Sequence, residues 1–213
     1  MTINNKKAQL YYNELRKQLT DPLQTRNKAK DFSKYDICLM RRLSGREKTL
    51  LDLGSGTGLL INHLQEDFKS ILAVEKYPEF SKFIDCSTNI EVVNADLLEF
   101  ETADRFDVVS AFGVLNFFCG REAKHLYKKI NQVMQPWGVF VLKHQMGIDA
   151  DVVVEGWSEE LQCDYFSEYR HVVREVKLLR ECGFSVNEQL DIYPDEYNRF
   201  TNTLFFALTC SRA

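Results

Sequence analysis

The fold is decided by LLDLGSGTGLL, Leu50 to Leu60. Three glycines, Gly54, Gly56 and Gly58, stand between two leucine-rich arms. The run Thr49 to Leu53 is short and largely apolar, the pattern of a strand buried on both faces. After the glycines, Leu60, Ile61, Leu64 and Phe68 are spaced as one face of a helix. A glycine-rich turn between strand and helix lets a ligand approach the backbone. A phosphate loop would need G-x-x-x-x-G-K-[ST], and no Lys-Ser or Lys-Thr pair follows here. A dinucleotide loop would need G-x-G-x-x-G/A. Its third small residue falls at Leu59, and the spacing is G-x-G-x-G instead. A turn without a ligand stays open as the alternative.

Working outward, short apolar runs alternate with helical spacing. SILAVE (Ser70 to Glu75), IEVVNAD (Ile90 to Asp96), the start of FDVVSAFGVL (Phe106 to Leu115) and GVFVLKH (Gly138 to His144) read as strands. Ala123, Leu126, Ile130 and Val133 share one helical face, and helical character also appears from Glu79 to Ile84. Alternation of this kind predicts an α/β fold, a doubly wound, mostly parallel sheet between helices. Right-handed crossovers then bring the strand C-termini to one edge, where ligands bind. Ala8, Tyr12, Leu15 and Leu19, then Phe32, Tyr35, Leu39 and Leu43, predict two N-terminal helices. Tyr165, Tyr169, Val172, Val176 and Leu179 predict a long tail helix, ended by Gly183. FSVNEQLDIY and TNTLFFALTC follow with only a short polar link, so an antiparallel pair is expected.

The chain has 213 residues, 45% hydrophobic and 27% charged, with a net charge of −4. That suits one domain over residues 1–213. Its parts would be a helical cap (1–46), a ligand-binding core (47–145), a lid segment with its helix (146–182) and the strand pair (183–213). The acidic balance argues against nucleic acid as partner. No apolar run is long enough to span a bilayer, and the N-terminus has no apolar signal region. Six scattered cysteines form no C-x-x-C pair, so no metal is expected and a reducing cytoplasm is the simplest location.

DLGSGTG, Asp52 to Gly58, resembles the first motif of class I, Rossmann-like S-adenosylmethionine-dependent methyltransferases. The resemblance extends from about Lys48 to His144, and more loosely to the end. It implies a seven-stranded sheet whose last strand inserts antiparallel between the fifth and sixth. It also implies that Asp52, Gly54, Ser55, Gly56, Thr57 and Gly58 meet the amino-acid part of the cofactor. The helix behind the loop would add free N–H groups for a carboxylate. Glu75, with Lys76 beside it, would take the ribose hydroxyls. Asp96 would take the adenine amino group and Leu97 the ring, although Asp96 also suits a helix N-cap. Phe112 belongs to the segment that lines the cofactor pocket. Asn116 stands where many members have histidine, and Trp137 replaces the first glycine of a Pro-Gly-Gly turn.

A sulfonium methyl needs an aligned acceptor and little else. That suffices for an amine or phenolate acceptor, whereas an aliphatic hydroxyl also needs a base. His144, at the end of the fifth strand, is the candidate; the bland alternative is a histidine bonded to a local backbone carbonyl. Asn116, Trp157, Tyr165 and Arg199 are candidates for acceptor binding. The segment from Gln145 to Phe166 is long enough for a lid, or it is a solvated surface helix. Arg170, Arg174 and Lys177 would share a helix face, able to hold a phosphate or sugar nucleotide or simply solvated. The tail also resembles small methyltransferases of bacterial surface-polysaccharide clusters. These readings favour methyl transfer to a small molecule, at oxygen, with a sugar precursor as one acceptor. An NAD(P)-dependent oxidoreductase and a non-catalytic S-adenosylmethionine-binding protein are the alternatives. Oligomeric state is not legible.

Overall fold

The computed structural model describes residues 3–25, 31–86, 89–159, 161–198 and 200–213. Arg26, Glu160 and Arg199 fall outside them. The elements in chain order are α1 (Ile3–Gln18), α2 (Ser33–Arg41), β1 (Gly45–Leu53), β2 (Phe68–Glu75), α3 (Pro78–Ser81), β3 (Ile90–Asn94) and β4 (Phe106–Phe112). They continue with α4 (Gly120–Val133), β5 (Met134–Gly147), β6 (Val152–Ser158), β7 (Cys163–Tyr169), α5 (Val172–Glu181), β8 (Phe184–Asp191) and β9 (Thr203–Arg212).

Seven strands form one sheet in the order β3-β2-β1-β4-β5-β9-β8. The first five are parallel, and β9 runs antiparallel between β5 and β8. This is the expected architecture. The apolar runs are continuous because both faces are covered. Neighbouring residues serve opposite cores. Leu50, Val108, Val141 and Ala207 enter the core beneath α2. Leu51, Val109, Leu142 and Leu208 enter the core beneath α4 and α5. Burying each of these leucines and valines is worth roughly 1.5–3 kcal/mol relative to exposure.

Three local expectations change. No α-helix follows Gly58; two single turns of 3-10 helix, Ile61–His63 and Gln65–Asp67, lead straight into β2. Asn62 ties this segment to its neighbour, donating to the Phe83 carbonyl (2.9 Å) and accepting from the Asp85 N–H (3.0 Å). The helical spacing of Leu60, Ile61, Leu64 and Phe68 therefore records burial, not helix. The expected helix N-terminus behind the glycine loop is absent.

The segment after β5 is neither a helix nor an open loop. It is a two-stranded antiparallel sheet, β6 with β7, running from Val152↔Tyr169 to Ser158↔Cys163. Tyr165 and Tyr169 belong to β7, and α5 begins only at Val172. A spacing of four places two residues on one face in a strand as well as in a helix. α1 packs along β7, with the Tyr11 and Tyr165 rings edge to face at 5.0 Å. An ion pair between Lys7 and Glu155 joins α1 to β6. α1 also rests on α3 through Tyr12 and Phe80. Helix α1 and the β6–β7 hairpin thus roof the C-terminal edge of the large sheet.

Candidate active site

Beneath that roof lies a cavity of about 700 Å³. It sits where the sheet order reverses, between β1 and β4, the usual ligand position in doubly wound folds. The glycine loop forms its floor. Gly54 and Ser55 donate their N–H groups to the Val74 carbonyl at 2.8 and 3.1 Å, which folds the loop over the end of β2. Gly54 has φ +75°, and a Cβ there would stand 2.8 Å from Val114 Cγ2, so only glycine fits. Gly56 differs. Its φ is +56°, and a Cβ would meet nothing within 4 Å. That open space is the cavity itself, so the backbone here is bare toward whatever occupies it. Thr57 is buried, its hydroxyl bonded to the Pro22 carbonyl (2.9 Å), which brings the segment after α1 against the loop.

The acidic candidates line the same cavity. Asp52 is buried and accepts from the Ser110 hydroxyl (2.6 Å). Glu75 accepts from the N–H groups of Gly56 and Tyr77, both at 2.9 Å. Burial raises its carboxyl pKa above the usual range, and those two N–H groups only partly offset it. Asp96 receives Lys76 Nζ (2.8 Å), the Leu98 N–H (3.0 Å) and Gln9 Nε2 (3.3 Å). Burial pushes its carboxyl up, but Lys76, the Leu98 N–H and Gln9 outweigh that and leave it below the usual range. Leu97, Phe112 and Leu59 complete this half.

The other half is built on the turn after β4, the end of β5, and β7. Asn116 lines it and donates to Ser167 Oγ (2.7 Å), joining the turn to the hairpin. Tyr165 lines it as well. Trp157 is not brought here; it stands 56% exposed on β6. His144 is 1% exposed and lines the cavity, and neither ring nitrogen has a hydrogen-bond partner. It makes no bond to a local carbonyl. Burial pushes its pKa down to about 4; Glu175 pulls it up, while Arg170 and Lys143 lower it further. The ring is therefore neutral near pH 7, and its 4.0 Å approach to Glu175 Oε2 is a contact between one charge and a neutral ring.

Two buried networks frame this half, and neither was visible in the sequence. Arg170 is not on a solvated helix face. It is fully buried, paired with Glu175, and donates to the carbonyls of Leu115 (3.0 Å) and Phe118 (2.6 Å). It thereby braces the turn that carries Asn116. Arg174 is exposed and pairs with Asp151 and Glu168, and Lys177 is exposed. Lys143 lines the cavity and bonds Asp36 (2.9 Å) and Tyr193. Tyr193 in turn donates to Asp36 (2.7 Å). Asp36 precedes Lys143 by 107 residues, so no local pattern links them. Among the described residues no group of three His, Cys, Asp or Glu is placed to hold a metal ion. No helix there is long and apolar enough to cross a membrane.

Residues 51–142 match the family model described as a methyltransferase domain. The match runs from within β1 to within β5 and includes the glycine loop, Glu75 and Asp96. That part of the chain is similar to methyltransferase domains. Among solved structures, a complex of DhpI with S-adenosylhomocysteine aligns over 99% of this chain and 97% of its own, at 16% identity and TM-score 0.74. A glycopeptide N-methyltransferase, MtfA, in complex with S-adenosylmethionine covers 85% of this chain and 93% of its own, at 14% identity and TM-score 0.67. An S-adenosylmethionine-dependent methyltransferase from Clostridium acetobutylicum covers 95% and 96%, at 15% identity and TM-score 0.62. At such identities these likenesses concern the fold. No curated protein matches the chain.

Proposed function

We propose that the protein methylates an oxygen of a small-molecule acceptor, using S-adenosylmethionine, with His144 as general base. The carrying observation is the state of His144: buried at the cavity wall, neutral, with both ring nitrogens unpartnered. A buried polar group without a partner costs stability, which is accounted for when it serves a ligand.

The chain fits the cofactor on its own features. The bare backbone at Gly56 leaves room for the amino-acid part, beside Asp52, Ser55 and Thr57. Glu75 presents a buried carboxylate able to accept two ribose hydroxyls, with Lys76 alongside. Asp96, kept ionised by its partners, accepts the adenine amino group, and Leu97 and Phe112 pack against the nucleoside. When bound, the cofactor supplies an electrophilic methyl group on a sulfonium. The protein orients the acceptor and keeps water out; the hairpin and α1 serve as the roof that does so. Asn116 and Tyr165 hold the acceptor, and His144 takes the proton from its hydroxyl. Trp157 plays no part in this reading, and no nucleic acid or membrane surface is needed as partner.

The test is His144→Gln. Turnover should fall by at least about 100-fold, while affinity for S-adenosylhomocysteine stays nearly constant. Unchanged turnover would remove the base and favour a nitrogen acceptor, which needs none. If the unaltered protein releases no S-adenosylhomocysteine from any acceptor pool, it is a binding protein.

A further inference from the structure

We infer that the acceptor is an uncharged molecule with a flat, largely apolar body and a hydroxyl on one edge, phenol-like and neither phosphorylated nor sugar-like. This rests on the methyl-transfer reading above and specifies its substrate.

Charge comes first. Among the described residues, Lys143 is the one lysine or arginine that lines the acceptor half. It is 2% exposed and its ammonium is already paired with Asp36 and Tyr193. It also lies over the rings of Phe112 (4.9 Å) and Tyr193 (4.8 Å). Its charge is thus offset by a carboxylate of the chain, and an entering anion would meet a balanced pair. Arg170 is similarly consumed by Glu175 and two carbonyls, and Arg174 by Asp151 and Glu168. A phosphate or carboxylate would lose its hydration without gaining a counter-ion.

Shape and polarity come next. Phe32, Phe117, Tyr165, Tyr169 and Phe205 line this half, so flat apolar surface meets flat apolar surface. Asn116, His144 and Gln145 bring an amide, an imidazole and a second amide to it. Two of the three already give side-chain N–H groups away, Asn116 to Ser167 and Gln145 to Thr203 (2.6 Å). The unpartnered ring nitrogens of His144 then suit a single hydroxyl. A sugar carries hydroxyls all round its ring, and those facing the aromatic walls would be buried without partners.

Acidity points the same way. A histidine held to a low pKa is a weak base. Phenolic hydroxyls, with pKa about 10, give up a proton far more readily than alcohols do. The acceptor proton passes to an unpartnered nitrogen of His144 as the new O–CH3 bond forms and the S–CH3 bond breaks, so charge is balanced without a metal.

Calorimetric titration of the full chain tests this in two stages. S-adenosylhomocysteine is titrated first; no binding would sink the methyl-transfer reading itself. The saturated protein is then titrated with 2-naphthol, 2-naphthyl phosphate and methyl β-glucoside. Naphthol should bind at least about tenfold more tightly than either of the others. Equal or tighter binding of the phosphate or the glucoside, or no binding of naphthol, overturns the inference while leaving the cofactor result intact. Tyr165→Ala locates the event. It should weaken naphthol at least about fivefold with S-adenosylhomocysteine affinity unchanged, and unaltered naphthol binding would place that site elsewhere and refute the assignment.

Discussion

Replacing His144 with glutamine should change how the stability of the protein depends on pH. In the folded chain burial holds the imidazole pKa near 4, against 6.5 for the unperturbed side chain. Between those values the unfolded chain binds a proton that the folded chain refuses. The contribution is therefore fully present above about pH 6.5 and is lost as pH falls toward 4. Linkage gives a loss of about 2 kcal/mol by pH 5 and about 3 kcal/mol by pH 4. That is a large share of a typical net stability of roughly 5–15 kcal/mol. Glutamine cannot titrate, so the variant should lack this part of the acid sensitivity. Urea unfolding of both proteins near pH 8 and pH 5 measures it. The stability difference, original minus variant, should shift by about 2 kcal/mol between the two conditions. All other titrating groups are shared and largely cancel in that difference. A difference that does not move would mean that His144 is protonated or solvated in the folded state, and the neutral-base argument would fail with it.

Other perturbations probe the remaining parts. Gly56→Ala should cost about 1–2 kcal/mol for the left-handed backbone, and its methyl would enter the cavity; S-adenosylhomocysteine affinity, measured by calorimetry, should drop at least about tenfold. Glu75→Gln should lower that affinity by a similar factor, since an amide accepts one hydroxyl where a carboxylate accepts two; unchanged affinity would detach Glu75 from the ribose. Arg170→Met leaves Glu175 buried opposite a neutral side chain, and urea denaturation should register a loss of about 3–5 kcal/mol. Trp157→Ala, on the exposed face of β6, should leave cofactor affinity and turnover within about twofold of the original in the same assays.

Much of the sheet was legible because strand burial is a local pattern. Leu50 to Leu53, Ile71 to Val74 and Val139 to Leu142 are apolar runs, since each strand is covered on both faces. The glycine loop was legible as a turn open to a ligand, because three closely spaced glycines follow an apolar strand, and it lines the cavity. Where two structures share one spacing, the pattern misled. Tyr165 and Tyr169 lie on one face in a strand as in a helix, and Leu60, Ile61, Leu64 and Phe68 are buried without helix. Charge misled differently. Arg170, Arg174 and Lys177 look alike in sequence, yet Arg170 is fully buried while the other two are exposed.

The sequence by itself determined that the glycine loop, Glu75 and Asp96 gather at one edge of the sheet. The glycines, Glu75 and Asp96 each follow one parallel strand, and parallel connectivity delivers strand ends to a common edge whatever the loops do. The tertiary structure alone decided the surroundings of His144 and Lys143. There the deciding quantities are the neutrality of His144 and the balance of Lys143. The first arises from burial, which Arg170 reinforces and Glu175 opposes, and the second from Asp36 and Tyr193, all of them distant along the chain. A side chain carries its chemistry in the sequence, but its charge state depends on what surrounds it.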